Sequence, residues 1–135
     1  LSLIFLLYST AIISKVFFIT AGTFGVTALY GYATKKDLSS LGNILFMALI
    51  GLVIATIVNV FMKSAMFDLI LSYIGVIIFV GLTAWDSQKI KHIMMVQQDA
   101  DESAQKLALI GALSLYLDFI NLFLYLLRIF GRSND

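Results

Sequence analysis

Residues 69–86 read LILSYIGVIIFVGLTAWD, an uncharged run of seventeen residues that ends on an aspartate. At ~1.5 Å per residue the run makes ~26 Å of helix, close to the thickness of a bilayer's hydrocarbon core. A carboxylate at bilayer depth costs roughly 2.5–3.5 kcal/mol even on a lenient insertion scale, so Asp86 must be shielded, paired or protonated. A second aspartate, Asp118, sits in the middle of another such run, Leu107 to Leu127.

The same pattern continues outward. Val16 to Thr34 lies between Lys15 and Lys35, and Leu38 to Met62 between Asp37 and Lys63. Lipid admits only helices and closed barrels, and the period-2 alternation of a barrel strand is absent. Leu1 to Tyr8 is too short to cross and is expected to be the tail of a helix begun upstream; with no basic flank or small-residue cleavage site it is not a signal peptide. The expected fold is therefore an all-α integral membrane protein. It is a helical bundle of four complete transmembrane helices plus the end of a fifth, one domain over residues 1–135 forming the C-terminal part of a longer chain.

Composition agrees. Hydrophobic residues make up 61% and charged residues 13%, where soluble domains carry about a quarter charged. The nine basic residues are scattered between apolar runs, which excludes a nucleic-acid partner. Without cysteine there is no disulfide or thiolate metal site, and the lone His92, between lysines, reads as a loop position. Short connections are expected at Lys35 to Gly42 and Lys63 to Asp68, with Asp37, Ser39 or Ser40 capping the helix that follows the first. A longer loop spans Gln97 to Gln105, whose Asp99, Asp101 and Glu102 read as solvated acids because EF-hand spacing is missing. Tyr8, Tyr30, Tyr32 and Trp85 fit interfacial belts. Lys35, Lys36, Lys89, Lys91 and Lys106 fall on one membrane face and Lys15, Lys63, Arg128 and Arg132 on the other, a division that does not fix orientation.

Helical projection at ~100° per residue gathers the polar groups. Gly111, Ser114, Asp118, Asn121, Tyr125 and Arg128 share one stripe; Ser72, Gly75, Thr83 and Asp86 share another, interrupted by Phe79. Thr20, Thr23, Thr27, Tyr30 and Thr34 form a third. Small and hydroxyl residues at such spacing, including Ala21 with Gly25, read first as packing seams. The aspartates do not, because Ala or Ser would pack without the desolvation cost. Asp86 is also placed to pair with Lys89. Two carboxyl groups brought together in a weakly polar interior cannot both ionise and titrate as one unit. One shared proton holds their helices together, whereas two charges repel and leave an oxygen-lined site suited to a hard cation such as Ca²⁺. Asp86 and Asp118 are thus the candidate pH sensor, ion pathway and calcium ligands, with Thr83, Ser114 and Asn121 as supporting polar groups. Contact between the two requires a tilt or a longer penultimate helix.

Four segments carry a family resemblance: FVGLTAWDSQKIK at 79–91, LYLDFINLF at 115–123, ALYGY at 28–32 and TKKDL at 34–38. Together they resemble the bacterial branch of the Bax inhibitor-1 family, also called the transmembrane Bax inhibitor motif family. That resemblance implies a seven-helix membrane protein of the bacterial inner membrane, of which this chain holds the end of the third helix through the seventh. It further implies a pH-sensitive calcium leak whose di-aspartyl sensor matches Asp86 and Asp118, with an arginine partner on a helix outside the chain. Trp85 and Ser87 stand where Tyr and Thr are commoner in the family. Calcium is then the ion carried, no cofactor is expected, and the partners are the lipid bilayer and, in some members, a membrane protease.

Two other readings compete. One is a regulatory membrane protein that docks on a membrane protease or another partner. The other is an intramembrane aspartyl protease, with one aspartate as general base and the other as acid. Such proteases use Gly-x-Gly-Asp, whereas Leu115-Tyr116-Leu117 precedes Asp118, so no enzymatic activity is expected.

Overall fold

A computed structural model describes residues 8–96 and 102–133 of the 135. Four helices follow in order: α1 (Thr10–Ala33), α2 (Ser39–Met62), α3 (Ala65–Val96) and α4 (Glu102–Ser133). Each is long and apolar enough to cross a membrane. The expected fifth helix end and the acids Asp99 and Asp101 lie outside the described residues, while Glu102 opens α4.

The helix ends differ from those read from the charges. Lys15 lies inside α1, which starts at Thr10 because Ser9 caps it, its hydroxyl accepting the Ile12 N–H at 3.3 Å. Asp68 lies in the first turn of α3, where the helix dipole favours an acid, and the Ser64 hydroxyl accepts the Phe67 N–H at 3.1 Å. His92 is helical and not in a loop. Its segment, Ser87 to Val96, contains no proline or glycine, so nothing stops the backbone ladder when the chain leaves the apolar layer. Between α1 and α2 the N-cap position is Leu38; Asp37, one residue earlier, accepts the Ser39 N–H at 3.0 Å. That bond holds the Asp37 carboxyl below its ordinary value of 3.8. Asn59 spends its side chain on the α2 end, where its Oδ1 accepts the Ser64 N–H at 3.2 Å beside Lys63 in the left-handed region.

Helix α3 is the central element, packed on α1, α2 and α4, while α1 also packs on α4. The core runs through Val16, Leu52, Leu71, Ile78, Phe79, Leu82, Leu122, Phe123, Leu126 and Leu127. Phe119 of α4 joins α1 by edge contacts, at 5.7 Å to Phe17 and 5.3 Å to Phe24. Where helices approach most closely a glycine stands at the crossing. A Cβ on Gly31 would strike the Ala84 backbone, and one on Gly42 would strike the Trp85 indole. The Ala21–Gly25 seam finds no such use: a Cβ on Gly25 meets nothing within 4 Å. Helix α2 buries Gly42 and Leu52, packs Leu45, Leu49 and Ala55 partly against the core, and turns most of its other apolar side chains outward.

Candidate functional site

The α3 stripe faces the interior as its spacing requires: Ser72, Gly75, Phe79, Thr83 and Asp86 are all buried. Gly75 makes room for Tyr125 of α4, whose ring stacks on Phe79 with centroids 5.8 Å apart. One end of this seam is tied by Arg128 and Asp68 at 3.7 Å. Towards the other end, α3 and α4 bring their aspartates together. Asp86 and Asp118 are 7% and 6% exposed, and the Asp86 carboxyl lies within side-chain hydrogen-bonding reach of Asp118. The longer penultimate helix supplies this contact, since α3 continues about ten residues past Asp86 and carries it against the middle of α4.

The two carboxyl groups are not equivalent. Asp86 Oδ1 receives the Lys89 ammonium, one turn on, at 3.0 Å. The Asp118 Oδ2 is buried with no hydrogen-bond partner among the described residues. An ionised oxygen in that position carries an uncompensated desolvation cost of several kcal/mol, which a proton or a cation would remove.

Two of the three supporting polar groups bond their own helix. Thr83 is fully buried, but its hydroxyl donates to Phe79 carbonyl at 2.6 Å on its own helix. Asn121 likewise donates to Leu117 carbonyl at 2.9 Å, and Ser114 is half-buried on α4. On α1, Thr20 and Thr27 bond back to the Val16 and Thr23 carbonyls, both at 2.7 Å.

Residues beside the pair do more than the sequence indicated. Ser87 donates across to the Ala28 carbonyl of α1 at 2.7 Å. Gln88 clamps the α1–α2 connection, accepting the Leu38 N–H at 2.9 Å and donating to the Lys36 carbonyl at 2.6 Å. Trp85 is half-buried on Gly42 with the Lys89 ammonium 3.9 Å from its ring centroid. The only sequence signal for Gln88 was its position directly after the aspartate and serine, and its partners are backbone groups about fifty residues away.

As calcium ligands the pair is sparse. No group of three or more His, Cys, Asp or Glu residues converges among the described residues, and calcium takes six to eight oxygens.

A family model described as "Inhibitor of apoptosis-promoting Bax1" matches residues 1–135. Among relatives, "Inner membrane protein YbhL" of Escherichia coli K12 is 56% identical over 134 residues, covering 98% of this chain and 57% of that protein. "Uncharacterized protein RP147" of Rickettsia prowazekii is 48% identical over 135 residues, covering 100% of this chain and 57% of the relative. "Uncharacterized membrane protein SpyM3_0260" of Streptococcus pyogenes is 42% identical over 134 residues, covering 99% and 58%. The chain thus spans under three fifths of the length of these relatives.

Proposed function

The chain belongs to the Bax inhibitor-1 family, and from that premise we propose that it forms the proton-controlled part of a multi-pass bacterial inner-membrane protein that leaks cations, calcium foremost. The observation that carries this reading is the meeting of Asp86 and Asp118 between α3 and α4, with one Asp118 oxygen buried and unpartnered. With one proton between them, the carboxyl groups form a hydrogen bond that joins the two helices. With none, two unit charges ~4 Å apart repel by about 4 kcal/mol at an effective dielectric constant of ~20. That is nearly three powers of ten in a two-state equilibrium, enough to shift α3 against α4. The Lys89 ammonium offsets the charge on Asp86 and leaves Asp118 to receive the cation.

Calcium flux into vesicles holding the complete protein, followed with an internal dye across a pH series, tests this. Asn at either position keeps a hydrogen-bonding side chain but removes the titrating group, so Asp86→Asn and Asp118→Asn are each expected to flatten the pH response. Flux and pH response unchanged in both variants would overturn the proposal.

The regulatory alternative has one feature in its favour: α2 turns most of its apolar side chains away from the bundle, a face that a membrane protease or other membrane partner would fit. A stoichiometric partner that co-purifies, with no flux from the purified protein, would favour it.

A further inference from the structure

At the Asp86 end of the bundle the α1–α2 connection and the last turns of α3 enclose an open cleft of about 730 Å³. Four lysines line it, Lys35, Lys36, Lys89 and Lys91, against one carboxylate, Asp37, and of the four Lys89 is already paired with Asp86 at 3.0 Å. Asp37 accepts the Ser39 N–H at 3.0 Å and keeps its charge, so with Lys89 paired to Asp86 an excess of two lysines is left to meet an anion. Trp85 forms part of the wall, and Gln88 pins Lys36 through its carbonyl. We propose that this cleft binds the phosphate of an anionic phospholipid headgroup.

The chemistry requires an anion, and the level of the cleft selects a lipid. Helix α3 has 32 residues, ~48 Å at 1.5 Å per residue, whereas the hydrocarbon core takes about 30 Å, or ~20 residues. Counted from Ala65, those 20 residues end near Trp85, so the turns that carry Lys89 and Lys91 rise through the headgroup layer. Apolar surface adjoins the lysines: Tyr32 is 49% exposed with the Lys91 ammonium 5.6 Å from its ring, and Met95, 64% exposed, lines the cleft. A positive pocket with an apolar lip at that depth matches a phosphodiester on two acyl chains. Lysine ammonium groups are point charges on flexible stems, and a phosphate accepts from them without a fixed geometry. The inference does not depend on the calcium reading.

The test is native mass spectrometry of the complete protein released from mild detergent after incubation with equimolar phosphatidylglycerol and phosphatidylcholine. Phosphatidylglycerol is expected to be retained in preference. Each juxtamembrane lysine contributes about fivefold to attraction for an anionic lipid, so Lys35→Gln/Lys36→Gln/Lys91→Gln should lower retention by ~100-fold. Lys63→Gln, at the opposite end, should leave it unchanged, and the corresponding three Lys→Arg changes should keep it, which separates lost charge from a lost fold. Equal retention by wild type and triple Gln variant, or no preference between the two lipids, overturns the proposal. Displacement by inorganic phosphate at the concentration needed for a short-chain phosphatidylglycerol also overturns it, because the site would then hold a free anion.

Discussion

Gly31→Ala is expected to loosen the α1–α3 crossing that supports the aspartate pair. The new Cβ would lie 2.7 Å from the Ala84 carbonyl carbon and 2.8 Å from its Cα, and closer still to the carbonyl oxygen. Ordinary carbon contacts begin near ~3.5 Å. Since the obstacle is backbone, no rotamer change relieves it and α1 must retreat by about 1 Å. That retreat stretches the Ser87 Oγ to Ala28 carbonyl bond, now 2.7 Å, beyond hydrogen-bonding range. Overpacking of this kind costs about 1–3 kcal/mol and the lost bond about 1 more, for a total of about 2–4 kcal/mol. Equilibrium unfolding of the complete protein in mixed micelles measures it, with Gly51→Ala as comparator because a Cβ there meets nothing within 4 Å. A loss below about 0.5 kcal/mol for Gly31→Ala would refute the reasoning, since no backbone contact so close could be relieved that cheaply.

Gln88→Ala removes both bonds to the α1–α2 connection and leaves the N–H of Leu38, a residue 6% exposed, without its partner. A loss of about 2 kcal/mol is expected in the same unfolding assay, with faster amide exchange at Leu38. Asp37 should titrate below 3.8, because the Ser39 N–H favours its ionised form. Its folded value being depressed, the stability it supplies is present above 3.8 and lost as pH falls through the lower folded value; carboxyl-carbon NMR reads the midpoint, and a value at or above 3.8 would count against the turn.

The bundle was legible because lipid imposes one simple constraint, and uncharged runs between charged residues satisfy it visibly. Helix ends were not legible from the same charges. Lys15, Asp68, Asp86 and His92 all lie within helices, because a charge marks where the apolar layer stops, whereas the backbone ladder continues into the headgroups unless proline, glycine or a cap ends it. The stripes turn Asp86 and Asp118 inward, but their meeting depends on how far α3 runs beyond its apolar stretch, which the charges do not mark. The value of Gly31, Gly42 and Gln88 lies wholly in what stands opposite them, and one sequence does not record that. Thr83 and Asn121 bond their own preceding turns, as a hydroxyl or amide in a helix can, so a polar stripe is not by itself a polar site.

The segment from Trp85 to Lys89 shows why a contiguous motif, and not a periodic one, carries this site. Five successive residues at ~100° each sweep once around a helix, so such a run has a use at every position only where the helix is surrounded. Helix α3 is surrounded at this level. Trp85 meets Gly42 of α2, Asp86 meets Asp118 of α4, Ser87 meets Ala28 of α1, Gln88 meets the α1–α2 connection, and Lys89 turns back to Asp86 and the cleft. Any rotation of α3 that separates the two aspartates therefore also disturbs the indole on Gly42 and the Ser87 bond to α1. Separating the pair by moving α4 instead would break the stack of Tyr125 on Phe79 and the Arg128–Asp68 pair on α3, as well as the Phe119 contacts with α1.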